Sequence, residues 1–263
     1  MKTLPPIMVA PNGARRTRAD HPALPVSVAE LVATGRACHE AGAGALHAHV
    51  RDADGAHVLD AGLYRELLDE MARAVPALDV QVTTEAVGRY TPAEQRRLVE
   101  TLVPRAVSVG YAEMTSDGDA AASRRFYAFA AEAGIAVQHI VYAAPELEAL
   151  LGAVAAGEVA TGESLQLLFV LGRHARDRES DPAELAPFLD TLASAGPTDL
   201  AADWAVCAFG RAETRCLREA FRAGGKARVG FENSLWNEDG RVAADNAERV
   251  REIVRVRGRE GGR

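Results

Sequence analysis

Short apolar segments alternate with longer amphipathic segments along this chain, and the alternation occurs eight times. Short apolar runs bounded by turn residues are typical of buried strands, whereas the longer segments have helical spacing. The predicted strands are Ile7–Ala10, Ala45–Val50, Asp79–Thr84, Ala106–Gly110, Ile135–Tyr142, Leu165–Val170, Leu200–Ala208 and Ala227–Glu232. Strands that alternate with helices form a parallel sheet covered by those helices. Eight units therefore predict an α/β fold, a (β/α)8 TIM barrel, as a single domain over residues 1–263.

Three of the predicted helices begin with a complete capping signal. Ser27 precedes Glu30 by three residues, and Thr91-Pro92 and Asp181-Pro182 add a proline at the first helical position. The helices are expected from Ser27 to about Ala43, from Asp60 or Gly62 to Ala74, from Thr91, from Ala120 to Ala133, from Pro145 to Ala155, from Asp181, from Arg211 to Ala223, and from Ala243 to Val256. An open doubly wound sheet is the alternative, but no G-x-G-x-x-G motif follows the first strand.

The composition restricts the partners and the compartment. Apolar residues make up 48% of the chain and charged residues 25%, which is enough for a sizeable core. A net charge of −7 with interspersed acids and bases argues against nucleic acid or an anionic membrane as the main partner. Three cysteines without a C-x-x-C spacing, no signal peptide and no membrane-spanning apolar run predict a cytoplasmic protein.

Two histidines lie two residues apart on the second predicted strand. Side chains at this spacing share one face of a strand, so His47 and His49 are expected about 7 Å apart along it. Two neutral imidazoles can share one divalent metal ion. The alternative is a pair of partly buried histidines that bind nothing.

The eighth predicted strand ends in a carboxylate, Glu232. A buried carboxylate is costly unless it is paired or binds a metal, and two histidines with one carboxylate are a frequent catalytic ligand set. His47, His49 and Glu232 are therefore the candidate metal ligands. Alternatively, Glu232 pairs with Arg228, four residues earlier on the same face, while the histidines are bystanders. Arg228 can equally hold a substrate carboxylate.

The active site of a TIM barrel lies at the carboxyl ends of its strands, which selects further polar residues. Those expected to converge there are Asn12, Thr83, Thr84, Glu85, Ser108, Gln138, His139, Tyr142 and Asn233. His139 can be a fourth ligand, a base or a core histidine. His174, in the charged loop after the sixth strand, is a further catalytic candidate. The other histidines, His21, His39 and His57, are expected in solvent.

Four stretches together resemble the β-keto acid cleavage enzymes, the group that includes 3-keto-5-aminohexanoate cleavage enzyme. They are Ala10–Arg16, His21–Pro25, the H-x-H-x-R-D motif at His47–Asp52, and Val229–Leu235. The resemblance extends over nearly the whole chain. It implies a TIM barrel that holds Zn²⁺ with His47, His49 and Glu232. It also implies condensation of a β-keto acid with acetyl-CoA, which releases acetoacetate and a new acyl-CoA, and a homo-oligomer, commonly a tetramer.

The resemblance assigns roles but also shows departures. Arg228 would hold the substrate, and hydroxyls such as those of Thr83 and Ser108 would bind its carboxylate. Where the family has an aspartate as base after the metal glutamate, this chain has Asn233, and Glu85-Ala86 replaces a glycine pair. The family acid on the fifth strand is also missing. Glu85, Glu113 and His139 are candidates for the base. The predicted catalytic residues are Arg228, Asn233 and Glu85, and the predicted substrate-binding residues are Asn12, Thr83, Thr84, Ser108 and His139.

Three other functions are alternatives to this one. The first is a mononuclear metal-dependent hydrolase or retro-aldol lyase that acts on a small carboxylated substrate. A binuclear amidohydrolase is disfavoured, because it carries H-x-H on the first strand and needs a bridging lysine, whereas this chain has only Lys2 and Lys226. A non-catalytic binding role is the third, and convergent ligands at a barrel mouth normally serve chemistry.

Overall fold

Eight parallel strands close into a barrel in the order of the sequence, with helices outside it. This computed structural model describes residues 1, 3–172, 179–195 and 201–260. The strands are β1 Ile7–Val9, β2 Ala45–Ala48, β3 Asp79–Thr83, β4 Ala106–Gly110, β5 Ala136–Val141, β6 Leu165–Leu171, β7 Ala202–Ala208 and β8 Lys226–Val229. Each strand pairs with the next, and β8 returns to β1 through the pairing of Arg228 with Met8. The predicted (β/α)8 TIM barrel is confirmed.

The helices cover the barrel in chain order. Within the described residues they are α1 Val28–Glu40, α2 Ala61–Ala74, α3 Pro92–Leu102, α4 Tyr111–Met114, α5 Ala120–Glu132, α6 Ala144–Ala155, α7 Ala186–Ser194, α8 Glu213–Arg222 and α9 Asn246–Glu260. A 3-10 turn at Pro182–Leu185 precedes α7. The capping boxes at Ser27, Thr91 and Asp181 all form, so these three starts were correctly predicted. The short helix α4 was not predicted.

Apolar side chains form two separate layers around the sheet. The larger lies between the strands and the helices, where Val107 and Val109 of β4 meet residues such as Phe126 of α5. A smaller cluster fills the barrel interior, with Ile140 and Leu168 among its members. Successive side chains of a strand point to opposite faces. Ser108, between Val107 and Val109, therefore faces the barrel interior, and His139, next to Ile140, faces the helix layer. No helix in the described part of the chain has the length and apolarity needed to cross a membrane.

Two strands end two or more residues earlier than predicted, and both do so next to candidate ligands. Strand β2 ends at Ala48, so His49 begins the following loop. Strand β8 ends at Val229, and Gly230 with φ of 143° turns the chain. A side chain there would place Cβ only 2.4 Å from the carbonyl oxygen of Ala10, so the close approach of these loops requires glycine. Glu232 therefore lies in a loop and not on the strand that it was predicted to end.

Candidate active site

Three ligand atoms converge at the carboxyl ends of β2 and β8. The Nε2 atoms of His47 and His49 are 3.1 Å apart. Oε2 of Glu232 lies 3.6 Å from Nε2 of His47 and 3.5 Å from Nε2 of His49. A tetrahedral ion with ligands at 2.0–2.1 Å separates neighbouring ligand atoms by about 3.3 Å. The three side chains are thus spaced as ligands of one such ion, and they fit the metal that the resemblance implies.

A chain of buried amides sets the orientation of His47. The carbonyl oxygen of Leu167 can only accept, and it accepts from Nε2 of Gln138 at 3.2 Å. Oε1 of Gln138 then accepts from Nε2 of Gln81, whose Oε1 lies 2.9 Å from Nδ1 of His47. Nδ1 of His47 must therefore carry the proton, which leaves the lone pair of Nε2 directed at the other ligands. Burial lowers the pKa of His47 well below its ordinary value, and Arg228 and His49 act in the same direction.

The H-x-H-x-R-D motif is held in place by contacts of its main chain and of its Arg51 and Asp52 side chains. The amide of Asn12 binds the main chain of His49 at both its nitrogen and its carbonyl oxygen, which fixes the point where β2 ends. The guanidinium of Arg51 donates to carbonyl groups of the loop 12–16. Oδ1 of Asp52 accepts from the backbone of the turn that follows. The motif thus supplies two ligands and the contacts that hold the adjoining loops.

The loop that carries Glu232 is held against the first loop of the barrel. Its backbone N–H donates to the carbonyl oxygen of Ala10 at 3.0 Å, and the N–H of Phe231 donates to the side chain of Asn246 at 2.8 Å. Gly13, with φ of 62°, faces the glutamate directly, because a Cβ there would lie 2.6 Å from Cγ of Glu232. The tight contact leaves the carboxylate little freedom to turn away from the histidines.

Arg228 lies beside the ligands and is only partly bonded. Its Nη2 donates to Oε1 of Glu232 at 3.2 Å and contacts Sγ of Cys207 at 3.6 Å. Nε and Nη1 are buried and have no hydrogen-bond partner among the described residues. Although burial alone would raise the pKa of Glu232, the Arg228 guanidinium and the two histidines lower it well below its ordinary range. Glu232 is thus an anion with one oxygen, Oε2, directed at the histidines.

A second carboxylate, Glu85, borders the same mouth. Its Oε2 lies 3.8 Å from Nδ1 of His49, and its side chain is 21% exposed. The loop is pinned on several sides: the Glu85 N–H donates to Oγ1 of Thr83, His57 Nε2 contacts the Glu85 carbonyl oxygen, and the next N–H donates to Glu113. Burial raises the pKa of the Glu85 carboxyl, with Glu232 and Glu113 adding to the rise and His49 opposing it.

Two adjoining cavities open at these residues. The inner one, of about 20 Å³, is lined by His47, Thr83, Glu85, Ile140, Tyr142, Val170, Phe209, Arg228 and Glu232. The outer one, of about 130 Å³, is lined by Asn12, Gly13, Ala14, Arg15, Arg16, Glu85, Phe209 and Glu232. Because Glu85, Phe209 and Glu232 belong to both, the cavities form one pocket with a narrow inner end.

The structure brings several predicted residues to this pocket. Thr83 lines its inner end, and its hydroxyl remains able to donate because it accepts from a backbone N–H. Ser108, opposite Thr83 in the sheet, faces the barrel interior by strand parity, and its hydroxyl has no partner within the part of the chain that the structure describes. Because β4 lies across the closed barrel from β8, the Ser108 hydroxyl faces the interior from the side opposite Arg228.

The side chains of three predicted substrate-binding residues have other partners. Asn12 lines the outer cavity, but its amide binds the main chain of His49. The hydroxyl of Thr84 donates to the carbonyl oxygen of Ser108. His139 points to the helix layer, where its ring stacks on Tyr127 at 5.5 Å, and burial lowers its pKa to about 4. Each residue was predicted from its position near a strand end, but local bonding or strand parity directs it elsewhere.

Other sequence predictions have mixed outcomes. Asn233 is fully buried beside Glu232 and is not among the described residues that line either cavity. His21 and His57 were expected in solvent, and this was wrong: His21 packs on Phe231, and His57 packs on His49. His174 lies outside the described residues.

Sequence reasoning placed Gln138 at this end of the barrel, but it missed Gln81 and the way in which the two amides orient His47. Gln81 and Gln138 are glutamines within apolar strands, on the face that the barrel interior requires, and this was the signal that could have identified them. Two apolar residues of the pocket, Val170 and Phe209, also gave no sign of their place, since they resemble any other core residue.

The fold and the polar groups at the carboxyl ends of its strands are those of a TIM-barrel enzyme. The model of the beta-keto acid cleavage enzyme family matches residues 6–263. The chain therefore belongs to the beta-keto acid cleavage enzyme family, as its sequence motifs predicted.

Relatives agree with this membership, and a solved structure agrees with the fold. A 3-keto-5-aminohexanoate cleavage enzyme from Fusobacterium nucleatum subsp. nucleatum is 26% identical over 256 residues, which cover 95% of this chain and 90% of the relative. A 3-oxoadipate:acetyl-CoA acetyltransferase from Cupriavidus necator is 28% identical over 262 residues, covering 94% and 86%. The binary complex of ObcA with oxaloacetate has a similar fold, with a TM-score of 0.70 at 16% identity. That match covers 92% of this chain but only 64% of ObcA.

Proposed function

We propose that this protein is a zinc-dependent enzyme that condenses a β-keto acid with acetyl-CoA to give acetoacetate and a new acyl-CoA. The observation that carries the proposal is the triangle of His47, His49 and Glu232 beside the unbonded donors of Arg228, in a chain that belongs to this family. A relative named for transfer to or from acetyl-CoA supports the co-substrate.

His47, His49 and Glu232 would hold the zinc ion, which when bound supplies Lewis-acid polarisation of the keto oxygen. The protein's own contribution is to present these three ligands already oriented. The amide chain behind His47 and the Gly13 contact behind Glu232 do this in the folded chain. Ligands held in place need no reordering when the substrate arrives.

Arg228 is the proposed site for the substrate carboxylate. Nε and Nη1 of the guanidinium have no partner among the described residues, and each can donate a charge-assisted hydrogen bond to a carboxylate oxygen. A buried donor without a hydrogen-bond partner raises the free energy of the protein. A ligand that accepts from Nε and Nη1 would remove this cost and so bind more tightly. Thr83 and Ser108 offer further hydroxyl donors from β3 and β4, across the barrel interior.

Glu85 is the proposed base. Asn233 carries an amide, which cannot accept the proton, and His139 points away from the pocket. The third candidate, Glu113, already accepts from the N–H of Ala86 and from Gln95. Glu85 alone among these candidates lines both cavities. Its position next to the ligands suits removal of a proton from the carbon between the ketone and the carboxylate.

The overall reaction balances without an oxidant or reductant. Carbon 2 of the keto acid loses a proton and bonds to the acetyl carbonyl carbon, and the acetyl C–S bond breaks. The CoA sulfur then bonds to carbon 3 of the keto acid, the bond between carbons 2 and 3 breaks, and the proton returns to the departing acetoacetate. A base that first takes and later returns one proton is therefore sufficient.

The test is incubation of zinc-loaded protein with β-keto acids and acetyl-CoA that carries ¹³C at both acetyl carbons. Acetoacetate labelled at carbons 3 and 4, together with the new acyl-CoA, is the expected product. Consumption of the substrate without acetyl-CoA would instead indicate the hydrolase or retro-aldol lyase. The cytoplasmic location and the homo-oligomer, a tetramer by resemblance, stay predictions, and sedimentation analysis would test the oligomer.

A further inference from the structure

The names of the two relatives specify keto acids of opposite charge at the end remote from the reacting carbons. One substrate, 3-keto-5-aminohexanoate, carries an amine, and the other, 3-oxoadipate, carries a second carboxylate. Family membership therefore does not determine what this part of the substrate is. The side chains that line the inner cavity of this chain bear on the question directly.

The inner cavity has two chemically different sides. The charged side consists of His47, Glu85, Arg228 and Glu232, all of which the proposed reaction already uses. The opposite side is formed by Ile140, Val170 and Phe209, with Tyr142 at its edge. Ile140 is 8% exposed and Val170 is 4% exposed, and both belong to the apolar cluster that fills the barrel interior. This side is thus continuous with the core.

The apolar side offers no counter-ion to a charged group. Arg228 is bonded to Glu232, and its remaining donors face the substrate carboxylate in the proposed arrangement. Tyr142 contributes a neutral hydroxyl, and burial raises its pKa further. Within the described residues that line this cavity there is no other cation and no amide. An ammonium or carboxylate placed against branched aliphatic side chains would lose its hydration without a replacement.

We infer that the β-keto acid of this protein carries an uncharged, apolar acyl side chain, which packs against Ile140, Val170 and Phe209. The inference rests on the proposed function and narrows its substrate class. A methylene chain in this position exchanges water for contact with apolar atoms, whereas a charged end keeps its affinity for water. The acyl-CoA released would then be that of a simple aliphatic acid.

A comparison of three keto acids with zinc-loaded protein and acetyl-CoA tests the inference. The three are 3-oxohexanoate, which is uncharged at its far end, 5-amino-3-oxohexanoate, which is cationic, and 3-oxoadipate, which is anionic. We expect kcat/KM for 3-oxohexanoate to exceed that for either charged substrate at least tenfold, with butyryl-CoA as the acyl product. The Cupriavidus necator relative, assayed in parallel with 3-oxoadipate, controls for the quality of the charged substrate.

The outcomes separate this inference from the function on which it rests. Labelled acetoacetate formed from a charged keto acid at equal or higher kcat/KM overturns the inference and leaves the proposed function in place. No acetoacetate from any of the three overturns both.

A variant provides a second, independent measurement. Ile140→Glu places a carboxylate in the apolar side and should shift the ratio of kcat/KM at least tenfold from 3-oxohexanoate towards the amino substrate. Because a buried glutamate can prevent folding, Ile140→Thr is the companion variant, and it should lower kcat/KM for 3-oxohexanoate more than for 3-oxoadipate. Unchanged ratios in a folded variant would show that this side does not contact the acyl chain, and would overturn the inference.

Discussion

Two buried arginine–glutamate pairs lie next to β8, and they differ in how fully they are bonded. In one, the open pair, Arg228 donates from a single terminal nitrogen to Glu232 at 3.2 Å. In the other, the closed pair, Arg249 of α9 donates to Glu213 of α8 at 2.5 Å. Both terminal nitrogens of Arg249 are used, and the partners they also reach are Thr214, Asn237 and Glu252.

The proposed function assigns the closed pair to the fold and the open pair to a ligand. A buried donor without a partner costs about 1–3 kcal/mol, so a pair that only stabilises the fold should bond most of its donors. Arg249 bonds both terminal nitrogens, and only its Nε lacks a partner among the described residues. Arg228 retains two donors unbonded in the described structure, next to the candidate ligands and facing a cavity. We expect substitutions in the open pair to change activity and those in the closed pair to change stability.

The largest effect is expected for Glu232→Gln. Replacing the carboxylate removes an anionic ligand and should lower both zinc content and kcat, the latter about 1,000-fold, equivalent to about 4 kcal/mol. Arg228 lines a cavity, so the loss of its charged partner should lower the free energy of unfolding of the metal-free protein less than the Glu213 substitution does. Metal analysis by mass spectrometry and steady-state kinetics provide the measurement. Full turnover in a variant that no longer binds zinc would reject the metal mechanism.

Glu213→Gln should give the opposite result. It leaves Arg249 buried with less compensating charge, and removing one partner of a buried ion pair costs about 3 kcal/mol. For a chain of this length we expect Tm to fall by roughly 6–12 °C. The folded fraction should bind zinc as before. Thermal unfolding followed by circular dichroism measures the change, and a loss of zinc at full stability would contradict the distinction between the pairs.

Arg228→Lys tests the unbonded donors of the open pair. Lysine keeps the positive charge beside Glu232 but lacks the planar fork, so kcat/KM should fall about 100-fold, the equivalent of roughly 3 kcal/mol. Arg249→Lys is the matched control, and it should lower Tm while kcat/KM stays within a few-fold. If both substitutions reduce only stability, Arg228 has no role in binding the substrate.

The smallest effect is expected for Gln81, which contacts the candidate ligand His47. Gln81→Leu removes the acceptor for Nδ1 of His47 and should weaken zinc affinity 10- to 100-fold, as for other partners of metal-binding histidines. Competition with a chelator measures the affinity. Gln166→Leu, a buried glutamine whose amide reaches the main chain of Met1, is the control and should leave zinc affinity unchanged.

The sequence predicted the fold well because periodicity and capping are local signals. Ser27-Glu30 and Thr91-Glu94 start helices by contacts within four residues, so no tertiary information was needed. Strand ends were harder: Val229 ends β8 because Gly230 passes close to the first loop, which lies more than 200 residues earlier in the chain. The same limit explains Asn12, whose partner His49 lies 37 positions later in the chain. The direction of His139 instead depends on which residues of β5 face the barrel interior.

The candidate ligands were predictable because their residue types are rare in apolar strands and a barrel gathers strand ends at one mouth. Their geometry was not predictable. His47 and His49 were expected on one strand, but β2 ends at Ala48, and the His49 ring lies in the following loop with its centre 5.1 Å from that of His47. The burial of His57 likewise depends on its contacts with His49 and with the Glu85 loop.

The amide chain behind His47 ends at a main-chain carbonyl of β6, four strands from the histidine. In the proposed zinc enzyme, metal affinity would consequently depend on the register between strands that contribute no ligand. Attempts to redesign the far wall of this barrel, for instance by exchanging β5 and β6 for those of a relative with another substrate, would alter metal retention even with every ligand untouched.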